Sequence, residues 1–367
     1  MKKFEYADDQ IGDKEMMIAI PSIVVGIGII TLPRTLAEPT NGVDGVFALV
    51  IGGTFAILMT WIVAKLAVQF PRESFFSYAS TLTSKPVAVL FTLLFAIYGL
   101  SNTVYQTRAI ASVSEEYLFE RTPFDAVSLT FLLIVIYAVS GSKVGLFRLN
   151  MLFFPIVVFI SLLVILLNIG LFIPENLLPV LTTDFNSQWN ALTKSTFSFM
   201  GFGVLLFYTS LVKSPRNVPK KAAVGMSVAV VLYIMIFVMF IGVFGNLAAA
   251  NLLYPTVELA KDVQIPGGFF ERFESLFFVI WIMAIFNTTV MFFDSAIFAL
   301  NALFKKNRKM QLIFILSPLI YIVGMIPQST NEISALGTFT SMYGFAVVSS
   351  TVAVLFIAWK ARGGIKK

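Results

Sequence analysis

Cysteine and histidine are both absent from the 367-residue chain. Their absence excludes disulfide frameworks, thiolate nucleophiles, zinc sites built from Cys and His, a haem held by histidine and the Ser-His-Asp arrangement. Charge is scarce too: Asp, Glu, Lys and Arg supply 13% of residues, against roughly 25% in soluble proteins. In their place, 58% of the residues are hydrophobic, 38 of them Phe, and the mean hydropathy is +0.88. Too little polar surface remains to cover a globule in water, so the excess apolar surface must face lipid. No carboxylates cluster inside the apolar runs, so neither a metal centre nor a cofactor is implied and an enzyme is not expected.

The apolar runs place membrane spans near 17–36, 46–69, 87–114, 126–140, 149–172, 190–211, 222–247, 270–303, 311–327 and 335–359. Ten spans of about 20 residues each leave only loops and no separate soluble domain. An even number sets both termini on one side of the bilayer. Of the 26 Lys and Arg residues, 20 fall on that side, whereas only Arg121, Lys261 and Arg272 lie on the other; Arg34, Arg108 and Lys194 sit in or beside spans. Basic loops stay in the cytoplasm, so both termini are expected there. Of the 20 acidic residues, 13 fall on the outer side, including Glu115, Glu116 and Asp125. Topology thus accounts for the formal charge of +6, and a nucleic-acid partner loses its support. Asp8, Asp9, Asp13 and Glu15 precede the first apolar run, which lacks a small-residue cleavage site and is expected to be retained as a span. In the longest outer loop, 248–269, the stretch Pro255 to Asp262 can form a short surface helix.

Span one contains Val25-Gly26-Ile27-Gly28 and span six Met200-Gly201-Phe202-Gly203, the glycines offset by 175 residues. That offset is five spans. Five is odd, so the second half enters the membrane from the opposite side, giving an inverted repeat of roughly 15–172 and 188–360 within one transmembrane domain. Glycine at mid-membrane weakens a helix by about 0.5–1 kcal/mol relative to alanine, so both pairs mark places where spans one and six can break. Lipid cannot satisfy the freed N–H and C=O groups. A ligand can: half-helix N-termini suit a carboxylate and freed carbonyls suit an ammonium group or cation. Small-x-small glycines that permit only close helix packing are the other reading of each motif taken alone.

The five-plus-five pattern is that of the amino acid/polyamine/organocation superfamily. Within it the chain resembles the B subunits of spore nutrient germinant receptors. The residues that carry the resemblance are Gly26-Ile-Gly28-Ile-Ile-Thr-Leu-Pro33-Arg34, Gln106-Thr107-Arg108-Ala109, Tyr254-Pro255-Thr256 and Phe270-Glu271-Arg272-Phe273-Glu274-Ser275-Leu276. The resemblance implies an all-α membrane protein of the LeuT-like fold with broken helices 1 and 6. It also implies a spore inner-membrane location, recognition of a small nutrient, and work with an A-type membrane subunit and a C-type lipoprotein to start germination. A proton- or cation-coupled amino acid transporter is the alternative.

The expected binding centre lies near the midplane between spans one, three, six and eight. Gly26, Gly28, Gly201 and Gly203 give backbone access there, Asn102 and Thr288 side-chain hydrogen bonds, and Met200 an apolar wall. Asn102 shares a helical face of span three with Tyr98 and Tyr105 that can line a cavity. Asp294 is the one acid well inside a span; a carboxylate there costs about 2.5–3.5 kcal/mol, so it either couples an ion or proton or serves a structural hydrogen bond. Arg34 and Arg108 either hold a gate against Glu38, Glu115 or Glu116, or pack and snorkel at the interface. Lys194 is expected to snorkel outward, and Glu271, Arg272 and Glu274 to form a salt-bridge network at the outer end of span eight.

Overall fold

The computed structural model describes residues 10–118, 121–263, 273–304 and 308–362. Within the described residues, each apolar run read from the sequence is mainly helical. In chain order the helices are α1 (Asp13–Val24), α2 (Gly28–Ala37), α3 (Gly45–Ala67), α4 (Phe75–Leu82), α5 (Lys85–Tyr117), α6 (Phe124–Ser140) and α7 (Lys143–Leu167). They continue as α8 (Phe185–Ser198), α9 (Leu205–Tyr208), α10 (Val218–Asn251), α11 (Pro255–Lys261), α12 (Phe273–Asn301), α13 (Lys309–Gly324) and α14 (Thr330–Ala361). Among the described residues, 6 helices are long and apolar enough to cross a membrane, and α1 with α2 makes a seventh span bent by 52°. Three further apolar segments, 124–140, 202–211 and 309–324, are shorter than that. The end of the bundle at which α1 begins is termed the N-face.

Burial divides these helices into two kinds. α12 is 72% buried over its most apolar window, whereas α7 and α14 are 33% buried and show lipid-facing residues such as Phe159 and Ile357. A helix apolar all round belongs in a bundle core or in lipid, and α12 takes the core. It packs on α5, α7 and α1. The helix α4 has no counterpart among the sequence-read spans: it is a single amphipathic stretch capped by Ser74, whose hydroxyl accepts from Ser77 N.

Glycines set the close contacts. The rings of Tyr98 and Tyr105 on α5 lie against Gly344 and Gly337 on α14. Both pairs are seven residues apart in opposite directions, the register of two antiparallel helices. The two tyrosines therefore fill notches in α14, and of the polar face read on span three only Asn102, half-buried, is left beside the breaks described below.

On the far side from the N-face, the loop before α8 is tied to the start of α3 by one carboxylate. Asp44, 2% exposed, accepts from Leu181 N at 2.6 Å, from Thr182 N and Thr183 N at 2.9 Å each, and from the Thr183 hydroxyl at 2.7 Å. Burial pushes this carboxyl up, and the hydrogen bonds from Thr183, Leu181 and Thr182 outweigh it, leaving it below the ordinary value of 3.8.

Candidate functional site

Between α1 and α2 the chain leaves helical geometry at Val25 (φ −81°, ψ 72°). Pro21 inside α1 lacks an N–H and weakens the turn before the break. The groups freed by the break, and Ile29 O, which Pro33 leaves without an N–H partner, are met by side chains from four other elements. Tyr233 of α10 donates its hydroxyl to Val24 O at 3.0 Å, and Thr288 of α12 donates to Ser22 O at 3.2 Å. Gln106 of α5 accepts from Ile27 N at 3.4 Å, and Thr256 of α11 donates to Ile29 O at 2.8 Å. α2 then begins at Gly28 with its first-turn N–H groups directed back at the break.

A second break follows α8. Gly201 takes φ +153°, a conformation that L side chains rarely adopt, and a 3-10 turn over Phe202–Val204 leads into α9 and a second 3-10 turn over Thr209–Leu211. The two breaks touch. A Cβ on Gly201 would stand 3.2 Å from side-chain carbons of both Ile23 and Val24. Phe199 stacks on Tyr233, ring centroids 5.1 Å apart, so the tyrosine that caps the first break also supports the second.

Gly26 is the tightest point of the first break. A Cβ there would lie 2.7 Å from Thr288 Oγ1 and 3.0 Å from Gln106 Nε2. Gly28 differs: its Cβ would meet only the Tyr233 hydroxyl, at 3.7 Å. Gly203 faces Val348 of α14 and Phe95 of α5, and Met200 is buried beside Gly201. Asn102 reaches the group through Gln106, whose Nε2 donates to Asn102 Oδ1 at 3.5 Å. The structure thus brings Gly26, Thr288 and Asn102 together around Gln106, with the second break resting against Ile23 and Val24. Gln106 stood in the quoted motif Gln-Thr-Arg-Ala without being singled out; a glutamine within an apolar span was the available signal.

Asp294 lies toward the N-face on α12, fully buried. Its carboxylate accepts from Lys143 Nζ at 3.0 and 2.8 Å and from the Tyr208 hydroxyl at 2.6 Å. The ammonium also sits 4.1 Å from the centroid of the Phe298 ring. By its position in the sequence Lys143 is a loop charge; in the fold it is the first residue of α7 and the counter-ion of Asp294.

Arg108 is 3% exposed, donates Nε to Pro327 O at 2.9 Å and stacks 4.3 Å over the Phe124 ring, which joins α5, α6 and the loop before α14. Arg34 is half-buried on α2. Glu38, one of the acids expected to oppose it, pairs with Lys194 at 3.0 Å instead. Lys194 thus reaches outward, from within α8 to the exposed carboxylate at the C-terminal end of α2. Glu274 occupies the first turn of α12, where a helix N-terminus favours an acid; Glu271 and Arg272 lie outside the described residues. The expected short helix is α11, and it is docked rather than free. Thr256, Val257, Leu259 and Ala260 are buried, Asn168 donates to Leu259 O at 2.9 Å, and the Tyr117 hydroxyl donates to Glu258 at 2.7 Å. A surface groove of about 260 Å³ lined by Ser140, Arg308, Lys309, Met310 and Gln311 contains no residue of either break.

A solved structure, that of MhsT in complex with L-phenylalanine, superposes with a TM-score of 0.66 over 95% of this chain and 98% of that one, at 15% identity. The fold is therefore the LeuT-like one. Spore germination protein GerLB of Bacillus cereus is 39% identical over 364 residues, 99% of this chain and 97% of its own length. Spore germination protein YndE of Bacillus subtilis (strain 168) is 30% identical over 348 residues, 94% and 96% of the two chains. The family model described as spore germination protein matches residues 10–333. The chain is not an enzyme: the family it matches is one of spore germination proteins. The chain belongs to the family of spore germination proteins.

Proposed function

We propose that the chain is the nutrient-sensing subunit of a spore germinant receptor. It binds a small nutrient, an amino acid, where the two helix breaks meet, and signals to an A-type membrane subunit and a C-type lipoprotein. The observation that carries this reading is the opened backbone at Gly26, flanked within 3.0 Å of its Cβ position by the hydroxyl of Thr288 and the amide of Gln106. Donors and acceptors of both kinds converge there, as a zwitterion requires. The L-phenylalanine bound by MhsT, which shares the fold, supports the amino acid class. The inverted repeat of 15–172 and 188–360 accounts for two breaks that face one another. The concentration of basic residues at the N-face supports a cytoplasmic N-face in the spore inner membrane.

Binding shifts the chain between two packings, and only a ligand with different affinity for the two can do so. A cation-coupled transporter is the second reading, favoured by the buried carboxylate of Asp294. Lys143 on both carboxylate oxygens already balances that charge and leaves a free cation no role there. The decisive experiment titrates the purified chain in nanodiscs with the twenty L-amino acids, glucose and inosine, and compares nutrient-triggered germination of spores with and without the gene. Saturable binding of an amino acid with loss of that germination response is the expected result. Net uptake by the chain alone in liposomes, with germination intact in its absence, would replace the sensor by the transporter.

A further inference from the structure

The N-face half of the second broken segment, residues 202–211, is short, largely 3-10 and held from three sides. Ile11, fully buried, clasps its end through the backbone: Ile11 N donates to Leu211 O and Lys213 N donates to Ile11 O, both at 2.9 Å. Tyr78 of α4 donates its hydroxyl to Leu206 O at 2.9 Å. Tyr208 is tied through Asp294 to Lys143. We propose that Lys143, Asp294 and Tyr208 form a releasable ionic latch that keeps residues 202–211 shut against α12 and α7, with Ile11 as its backbone clasp.

The physical argument runs through the two ends of the ion pair. Asp294 has no exposure, so its charge needs a partner inside the protein. The Lys143 side chain is 22% exposed, so water at the N-face reaches the pair from one side. In such a pair lost hydration offsets much of the Coulomb attraction, and the remainder, about tenfold in the ratio of closed to open states, is what the latch contributes. A contact of that kind holds geometry and opens at low cost once water enters, whereas apolar packing has to be pulled apart. Ser142 fixes where the ammonium starts: its hydroxyl accepts from Gly145 N at 3.0 Å, which makes Lys143 the first residue of α7. The other end of 202–211 adjoins Gly201, in contact with Ile23 and Val24, so a change at the helix breaks reaches the latch along one short segment.

The chain has no cysteine, so a single introduced thiol reports alone. Thr209→Cys, at a site 1% exposed on the held segment, is labelled with a bulky maleimide in nanodiscs, where both faces are open to reagent. Removing only Lys143 would strand a buried carboxylate and could unfold the chain. The test is therefore K143M together with D294N, which removes both charges and keeps the volume. Labelling at position 209 is expected to rise about tenfold or more, while a second reporter, Ala260→Cys on α11 at the far end, keeps its parental rate. Parental labelling at 209 in the double variant would overturn the latch. So would an equal rise at 260, which would mean general loosening. Neither readout depends on which ligand binds at the breaks.

Discussion

The contrast between Gly26 and Gly28 is the sharpest test of the candidate site. Both glycines belong to one motif two residues apart, and a sequence comparison would treat them alike. A methyl group at Gly26 would press on Thr288 Oγ1 at 2.7 Å, Gln106 Nε2 at 3.0 Å and Thr288 Cβ at 3.1 Å. The single hydroxyl proton of Thr288 is shared between Ser22 O and Ala284 O, so the side chain cannot withdraw without losing that bond. Gln106 moves more easily, yet it is the acceptor for Ile27 N. Overpacking of this kind costs about 1–3 kcal/mol, which is roughly 5- to 150-fold in an equilibrium constant. At Gly28 the nearest heavy atom is 3.7 Å away, an ordinary contact, so alanine fits the first residue of α2 without displacing a neighbour.

Gly26→Ala is therefore expected to weaken binding by one to two orders of magnitude, measured by calorimetry on the chain in nanodiscs with whichever L-amino acid binds the parent. Gly28→Ala should leave affinity within about threefold. Equal binding by parent and Gly26→Ala would refute a site at the first break. Equal loss in both variants would show that the motif acts through general helix packing and not through Thr288 and Gln106.

Two further predictions concern the scaffold. Asp44→Asn keeps one acceptor where a carboxylate serves four donors, so at least one loop N–H is stranded at a cost of about 1–3 kcal/mol, read as a lower melting temperature at neutral pH. Because the folded carboxyl lies below its ordinary 3.8, its contribution is complete above that value and is lost as pH falls through the lower folded value; the parent should lose more stability than Asp44→Asn below about pH 4. Gly344→Ala would drive a methyl into the Tyr98 ring and is expected to destabilise by about 1–3 kcal/mol. Gly170→Ala, with nothing within 4 Å of its Cβ position, should melt with the parent.

The sequence made legible what depends on one helix at a time. Apolar length located the helices, and glycine pairs located both breaks, since backbone weakness is a local property. What stayed hidden was which faces meet. Tyr98 and Tyr105 read as a polar stripe, and only the rotation of α5 against α14 turns them into pegs for Gly344 and Gly337. Lys143 and Lys194 read as interfacial charges because a lysine at a helix end is usually solvated. Their pairing with Asp294 and Glu38 crosses 151 and 156 residues, a distance over which no spacing rule operates. Gln106 was visible as a motif member, but its role follows only from the place where α5 crosses the break in the first span.

Charge inside the bundle limits what the site can accept. Among the described residues, Asp44, Arg108 and Asp294 are the buried charged side chains: Asp44 is engaged by loop donors and Asp294 by Lys143, while Arg108 holds Pro327 O and the Phe124 ring with its Nη1 unpaired. At the breaks only backbone groups, hydroxyls and carboxamides face one another. Helix ends carry partial charges equivalent to about half an elementary charge of either sign, enough to balance the two ends of a zwitterion. They are not enough to balance an additional full charge buried beside them, which costs several kcal/mol when unpaired. Neutral amino acids should therefore bind at least about tenfold more tightly than lysine or aspartate of similar size. Competition of each against a bound neutral amino acid measures this. Tighter binding of lysine or aspartate would mean that a charged side chain reaches the ligand, and the site would have to be moved toward Arg34 or Asp294.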